Sequence, residues 1–178
     1  MSTGLPGLSH VDHVALTVPN LDEAVSFYTG VIGGTELYRL GPFGPDDRPP
    51  LPDGRDWSEA HLNVRGAVRT IAMLKIGANL MLELFQYDAP TNRRTIPPRN
   101  CDNGGHHIAF KVDDLEAAKR YLVANGCRVM EGPILIDRGP CAGLRVNYFL
   151  DPWDNQLELV EYTTLPFEDT SPAALYRP

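Results

Sequence analysis

The amino-acid sequence predicts an α+β protein made of two βαβββ modules, and three observations carry that prediction. The segment His13-Val14-Ala15-Leu16-Thr17-Val18-Pro19-Asn20-Leu21 is echoed 94 positions later by His107-Ile108-Ala109-Phe110-Lys111-Val112-Asp113-Asp114-Leu115, with His, Ala, Val and Leu in register. Leu82-Glu83-Leu84-Phe85-Gln86-Tyr87 is echoed 75 positions later by Leu157-Glu158-Leu159-Val160-Glu161-Tyr162. Between the echoes, each copy holds one stretch of helical period and several short apolar stretches. The two offsets differ by 19 positions, so the first copy carries about that much additional chain.

Each element has a local reason. Val14 to Val18 reads as a short apolar strand. A helix follows, because Asn20 is a capping residue with Glu23 three positions on, the capping-box spacing. Leu21, Ala24, Val25, Tyr28 and Val31 then recur at helical intervals, and Gly33-Gly34 ends the run. Further strands are expected near Thr35–Leu40, Val68–Lys75 and Leu80–Tyr87. In the second copy Ile108 to Val112 is the strand and Asp114 caps the helix. Leu115, Ala118 and Leu122 form its stripe, and Asn125-Gly126 terminates it. Strands near Arg128–Gly132, Arg145–Leu150 and Gln156–Tyr162 complete that copy. The modules therefore span 8–88 and 106–163. A linker containing Pro and Arg, 89–105, joins them, and a tail, 164–178, reads as irregular or as a short packed arm.

The additional chain of the first module falls at about 41–66. Gly41 to Gly54 reads Gly-Pro-Phe-Gly-Pro-Asp-Asp-Arg-Pro-Pro-Leu-Pro-Asp-Gly, too rich in Pro and Gly for regular structure. A structureless loop of this length is usually functional or disordered. The expectation is a lid or wall over a pocket, with a disordered insertion as its alternative.

At 178 residues, 43% hydrophobic and 22% charged, the chain suits one compact domain or two small modules. A formal net charge of −7, without any Lys/Arg cluster, argues against nucleic acid as a partner. Cys101, Cys127 and Cys141 are odd in number and widely spaced, which fits reduced thiols better than a disulfide framework. Met1 to His10 has neither a basic region nor an apolar run, and no stretch approaches 18 apolar residues. The expectation is a cytoplasmic protein without a membrane partner.

Strand side chains alternate between faces. Val14, Leu16 and Val18 share the face that a helix would cover, which puts His13 on the other; Ile108, Phe110 and Val112 do the same to His107. Glu83 and Glu158 each stand between two leucines, again opposite the apolar pair. An ionised carboxylate buried without a partner costs several kcal/mol. Two such carboxylates, each matched to a histidine of the same parity, call for a common partner. A divalent cation fits, since imidazole nitrogen and carboxylate oxygen are its ordinary ligands. The candidate ligands are therefore His13, Glu83, His107 and Glu158. His10 and His106 have the wrong parity, although His106 could stand at the rim, and His61 falls in the insertion.

Two phrases then bring a family into view: His13 to Tyr28, His-Val-Ala-Leu-Thr-Val-Pro-Asn-Leu-Asp-Glu-Ala-Val-Ser-Phe-Tyr, and Phe149 to Tyr162, Phe-Leu-Asp-Pro-Trp-Asp-Asn-Gln-Leu-Glu-Leu-Val-Glu-Tyr. With Gly105 to Val112, they resemble the vicinal oxygen chelate superfamily of glyoxalases, bleomycin-resistance proteins and extradiol dioxygenases. The resemblance implies βαβββ modules curling into an incomplete β-barrel around a metal site, with His13, Glu83, His107 and Glu158 at the ligand positions. One departure is Asp154, where the family usually has Gly before the last strand. Asp tolerates the left-handed conformation better than most residues.

The site pattern is nearest to methylmalonyl-CoA epimerase and glyoxalase I. It implies a metal-dependent isomerase or lyase that moves a proton next to a metal-bound carbonyl. Glu158 is the expected ligand that doubles as base, with Glu83 as the mirror candidate. The cofactor would be one divalent ion, of Zn, Ni, Co, Mn or Fe. The partner would be a small molecule with vicinal oxygens or a thioester, and the chain would pair as a homodimer. An iron(II) extradiol-type dioxygenase would use His13, His107 and Glu158 as its triad, but Glu83 would take one of the open positions it needs. A sequestering protein like the bleomycin-resistance members gives no reason to place two carboxylates together. A thiol transferase resembling fosfomycin-resistance enzymes usually has fewer protein ligands. Arg93, Arg94 and Arg99 read as solvated linker charges rather than phosphate contacts. Trp57, Phe85, Tyr87, Phe149 and Trp153 could line a pocket, though core packing suits most of them.

Overall fold

The structure, a computed structural model, describes residues 4–163, so the expected tail 164–178 lies outside it. The chain divides into two compact units between Arg93 and Arg94. The first runs β1 (Val14–Thr17), α1 (Leu21–Gly30), β2 (Thr35–Phe43), α2 (Trp57–Leu62), β3 (Val68–Ile76) and β4 (Leu80–Ala89). Its sheet has the order β1-β4-β3-β2, with β1 parallel to β4 and the other pairs antiparallel. A parallel pair needs a crossover, which α1 begins. Asn20 caps α1 as expected, its side-chain oxygen accepting from the Glu23 amide at 3.1 Å. The reciprocal contact differs from a standard capping box, because the Asn20 amide donates to the Glu23 carboxylate. Leu21, Ala24, Val25 and Tyr28 are buried on the helix, which packs on β3 and β4. Leu74, Leu82 and Leu84 are its fully buried counterparts in the sheet.

The second unit runs β5 (Ile108–Lys111), α3 (Leu115–Ala124), β6 (Arg128–Val129), β7 (Ile134–Leu135), β8 (Leu144–Leu150) and β9 (Gln156–Tyr162). Its sheet has the order β5-β9-β8-β6, with β7 also on β8, and again only the first pair is parallel. Neither sheet closes into a barrel. The strand expected over Arg128–Gly132 stops at Val129 and pairing resumes at Ile134. At the break Gly132 has φ +143°, and a Cβ there would stand 2.6 Å from Asn147 Oδ1. The backbone is pressed onto Asn147, which interrupts the ladder. The turn before β9 does hold Asp154 in the left-handed region, at φ 67°.

The duplication extends to the helix N-termini. The Leu21 amide donates to Gln86 Oε1 at 2.8 Å, and the Leu115 amide to Glu161 Oε1 at 3.4 Å. Gln86 and Glu161 hold equivalent places, three residues beyond Glu83 and Glu158. Each last strand thereby satisfies a donor that its helix leaves unpaired. Among the described residues no helix is long and apolar enough to cross a membrane. All three cysteines are free thiols.

The insertion departs from expectation, for Gly41 to Gly54 is not structureless. β2 continues to Phe43, a 3-10 turn covers Pro45–Asp47, and α2 lies further on at Trp57–Leu62. An edge strand tolerates Pro42, because its outward N–H needs no ladder partner. Asp56 organises the rest. One carboxylate oxygen caps α2 through the Glu59 amide at 2.9 Å, and the other accepts from the Gly66 amide at 2.9 Å. Ser58, fully buried, contacts Asp56, receives the Ala67 amide at 3.1 Å and lies 3.1 Å from the Val64 carbonyl. A cleft of about 440 Å³ opens among Arg48, Leu51, Trp57, Ala60 and His61.

Hydrogen bonds from Ser58, then from the Glu59 and Gly66 amides, hold the Asp56 carboxyl down to about 2, from an ordinary 3.8. A lowered carboxylate contributes stability that is present above pH 3.8 and lost as pH falls through about 2. Tryptophan fluorescence of a Trp153→Phe variant should therefore report loosening around Trp57 in that window. Asp56→Ala should show the loosened signal already at neutral pH, without the acid step. A signal flat through pH 2 in the Asp56 protein would show that this carboxylate does not hold the insertion.

Candidate functional site

His13 and His107 each stand one residue before the first strand of their unit. In the parallel pairing Ala15 faces Glu83, and Ala109 faces Glu158. Residues two apart on a strand share a face, so each histidine lies on the face of its glutamate, one same-face step away across a small alanine. His13 Nε2 lies 3.3 Å from Glu83 Oε2, and His107 Nε2 lies 3.1 Å from Glu158 Oε2. The carboxylate side chains are 16% and 10% exposed, against 39% and 36% for the imidazoles. Each pair is thus a sunken carboxylate with a histidine at its rim.

The antiparallel neighbours on the same face distinguish the two copies. Met73 is beside Glu83, whereas Tyr148 is beside Glu158. The His107 and Tyr148 rings meet edge-on with centroids 5.2 Å apart. Burial, and then the Glu158 carboxylate, push the Tyr148 phenol above its ordinary range, so it stays an O–H donor at neutral pH. Tyr87, two same-face positions beyond Glu83, is raised mainly by burial; Arg69 opposes that shift and Glu83 adds to it. Phe85 and Tyr87 stack with centroids 5.7 Å apart.

Asp12, Tyr148 and Arg69 were not singled out from the sequence. Asp12 Oδ1 lies 2.7 Å from His13 Nδ1. A carboxylate at Nδ1 favours the tautomer protonated there, which leaves the Nε2 lone pair free for a ligand role. The available signal was an Asp directly before a strand-start His. For Tyr148 and Arg69 it was parity with the glutamates, legible only once strand register is known. Of the other histidines, His10 and His106 are exposed, with His106 Nδ1 3.1 Å from the Gly104 carbonyl, and His61 stacks on Trp57. Arg99 pairs with Asp102 at 2.8 Å, and Arg93 donates to the Pro90 carbonyl, both local linker contacts. Phe149 is core, 1% exposed.

The donor pairs can be tested against a cation. Metal–nitrogen and metal–oxygen bonds of about 2.0–2.2 Å put neighbouring ligands of one ion about 3.0–3.4 Å apart. Both observed separations fall in that range. The residues fit, each unit presenting one nitrogen and one oxygen donor at ligand spacing. Among the described residues no group of three or more His, Cys, Asp or Glu side chains is gathered at one point, and each unit by itself presents one histidine–glutamate pair.

Comparison with known proteins follows the same lines. The model of the Glyoxalase/Bleomycin resistance protein/Dioxygenase superfamily matches residues 10–159. A 2-epi-5-epi-valiolone epimerase from an Actinomyces species is 45% identical over 179 aligned residues, covering 98% of this chain and 92% of the relative. A glyoxalase family protein from Bacillus cereus has a TM-score of 0.67 at 19% identity, covering 90% of this chain and 97% of its own. The fosfomycin resistance protein FosX from Listeria monocytogenes, solved with manganese(II) and sulfate, has a TM-score of 0.52 at 19% identity, covering 88% and 94%. These two structures share the fold. Duplicated modules, matched strand register and a family match over most of its length converge on one assignment: the chain belongs to the Glyoxalase/Bleomycin resistance protein/Dioxygenase superfamily.

Proposed function

We propose that the chain is a divalent-metal-dependent epimerase, with His13, Glu83, His107 and Glu158 as the ligands and a small polar ketone as the substrate. The observation that carries the reading is the repeated histidine–glutamate pair, set at ligand spacing by the same parallel register in both units. The epimerase relative supports it, since an alignment over 98% of this chain runs through the 41–66 insertion as well as the four candidate ligands. The manganese in FosX supports a divalent ion in this fold. A cation held there would supply Lewis-acid polarisation of a carbonyl, which would make the adjacent C–H acidic.

The residues of the chain do the proton work. Glu158, sunk beside Tyr148, takes the proton from the carbon next to the carbonyl through a carboxylate oxygen. The Tyr148 O–H stays protonated and donates toward Glu158, steadying the carboxylate between turnovers. Epimerisation returns a proton to the same carbon on its other side, a task for a second group, and Glu83 is the candidate that the sequence repeat offers for it. Asp12 engages His13 at Nδ1, and Nε2 is the nitrogen that stands by Glu83.

The test is solvent exchange. In D2O, 2-epi-5-epi-valiolone should gain deuterium at one carbon with inversion there. Chelation should stop the exchange and added divalent metal should restore it. Inversion without deuterium, or exchange indifferent to chelation, would sink the reading. Oxygen uptake in place of exchange would move the chain to the dioxygenase chemistry of its superfamily.

A further inference from the structure

Arg69 lies in β3 on the face that carries Glu83. Its register partner on β4 is Tyr87, four residues from Glu83 and of the same parity. The residue is 5% exposed. Its guanidinium carbon sits 4.8 Å from the Trp57 ring centroid and 5.5 Å from that of Phe43. Such ring contacts engage the flat face of a guanidinium, whereas its N–H groups point outward in the plane. Two of those donors, Nε and Nη1, are buried and find no hydrogen-bond partner among the described residues. Buried polar groups in native folds are nearly always satisfied, and an exception calls for an explanation such as a ligand.

The surroundings are built to hold this side chain. Phe43 ends β2, and Trp57 opens α2, its indole Nε1 tied to the Gly44 carbonyl at 2.7 Å. Gly41 has φ +102°, and a Cβ there would stand 2.8 Å from the Arg69 carbonyl oxygen. The insertion is therefore moulded onto Arg69 at backbone and side chain alike. A structural role alone would be met by an apolar residue between two aromatic rings, without the cost of a desolvated cation.

We propose that Arg69 is a ligand-binding residue of the first unit, donating from Nε and Nη1 to oxygens of the bound small molecule, with Phe43 and Trp57 as the walls that aim it. The two donors open on different edges of the guanidinium, so the ligand presents more than one acceptor oxygen. A polyol and a phosphoryl group share that chemistry. Four residues of strand separate Arg69 from Glu83, about 13 Å of backbone. On the reading of Glu83 as part of the reaction centre, Arg69 therefore grips the substrate away from the reacting carbon, and its removal raises KM.

Two arms test this. In the first, which is independent of epimerase chemistry, the melting temperature is followed with inorganic phosphate and, separately, with myo-inositol. The wild-type chain should be stabilised by one of them, phosphate marking an oxyanion subsite and inositol a polyol subsite. Arg69→Met should lose the response, and Arg69→Lys, which keeps the charge but not the planar donors, should lose most of it. In the second arm, valiolone epimerisation by either variant should show KM raised about 10- to 100-fold, with the loss falling on KM rather than kcat. A wild-type chain indifferent to both probes, or a loss confined to kcat, would overturn the proposal. A wild-type chain that answers a probe yet shows no epimerisation would instead overturn the epimerase reading and leave the Arg69 subsite standing.

Discussion

Replacing Glu158 by Gln is expected to lower epimerisation by about 10²- to 10⁴-fold, the range a positioned general base supplies. Gln preserves shape and removes the charge, so the strand should survive. The direct neighbours of Glu158 across the sheet are Ala109 and Tyr148, and neither depends on an ionised partner for its packing. Metal content should fall as well, because a neutral amide is a poorer ligand than a carboxylate. Glu83→Gln separates the two roles. If Glu158 is the base, loss of Glu83 weakens metal binding, and excess metal restores much of the proton abstraction. In Glu158→Gln the same excess of metal restores little. Metal analysis with circular dichroism as the check on folding reads both. Unchanged metal content in both variants would show that the pairs are salt links and not ligands.

The parts legible in the sequence were those governed by period and by local chemistry. Strand parity alone put His13 with Glu83 and His107 with Glu158, because a two-residue alternation needs no knowledge of tertiary structure. Asn20 and Asp114 cap their helices for reasons contained within four residues. Asp154 adopts the positive φ that its place in the turn requires. The structure of the insertion is not legible in the sequence, because Pro and Gly read locally as breakers, while a Pro on an edge strand and a Gly at a close approach are both compatible with pairing. Gly41 is needed by the Arg69 backbone, and no rule of local composition shows which strand a loop will lie against. Arg69 and Tyr148 escaped for a related reason. Tyr148 is placed beside Glu158, and Arg69 opposite Tyr87 on the face of Glu83, by β8–β9 and β3–β4 register, which here links residues 10 and 18 positions apart.

Leu84→Ala should destabilise the first unit by about 2–5 kcal/mol, the usual cost of emptying a buried leucine. Leu84 is fully buried on β4, opposite Leu16 in the parallel pair and Ala72 in the antiparallel one. Leu16 is 4% exposed and Ala72 fully buried, so the cavity has stiff apolar walls within the sheet. Leu159 occupies the equivalent place in the second unit, but its neighbours are the half-buried Phe110 and the amide of Asn147. A side chain that can move and an amide that can hold water both soften a cavity, so Leu159→Ala should fall at the lower end of the same range. Urea unfolding of the two variants measures the difference. Glu83 adjoins Leu84 in the strand and projects from its other face, so relaxation of the backbone into the cavity would draw the carboxylate away from His13. Leu84→Ala should therefore weaken metal binding even where the chain remains folded. Metal affinity equal to that of the wild-type chain, alongside the full loss of stability, would show that packing on the covered face does not set the position of the ligand.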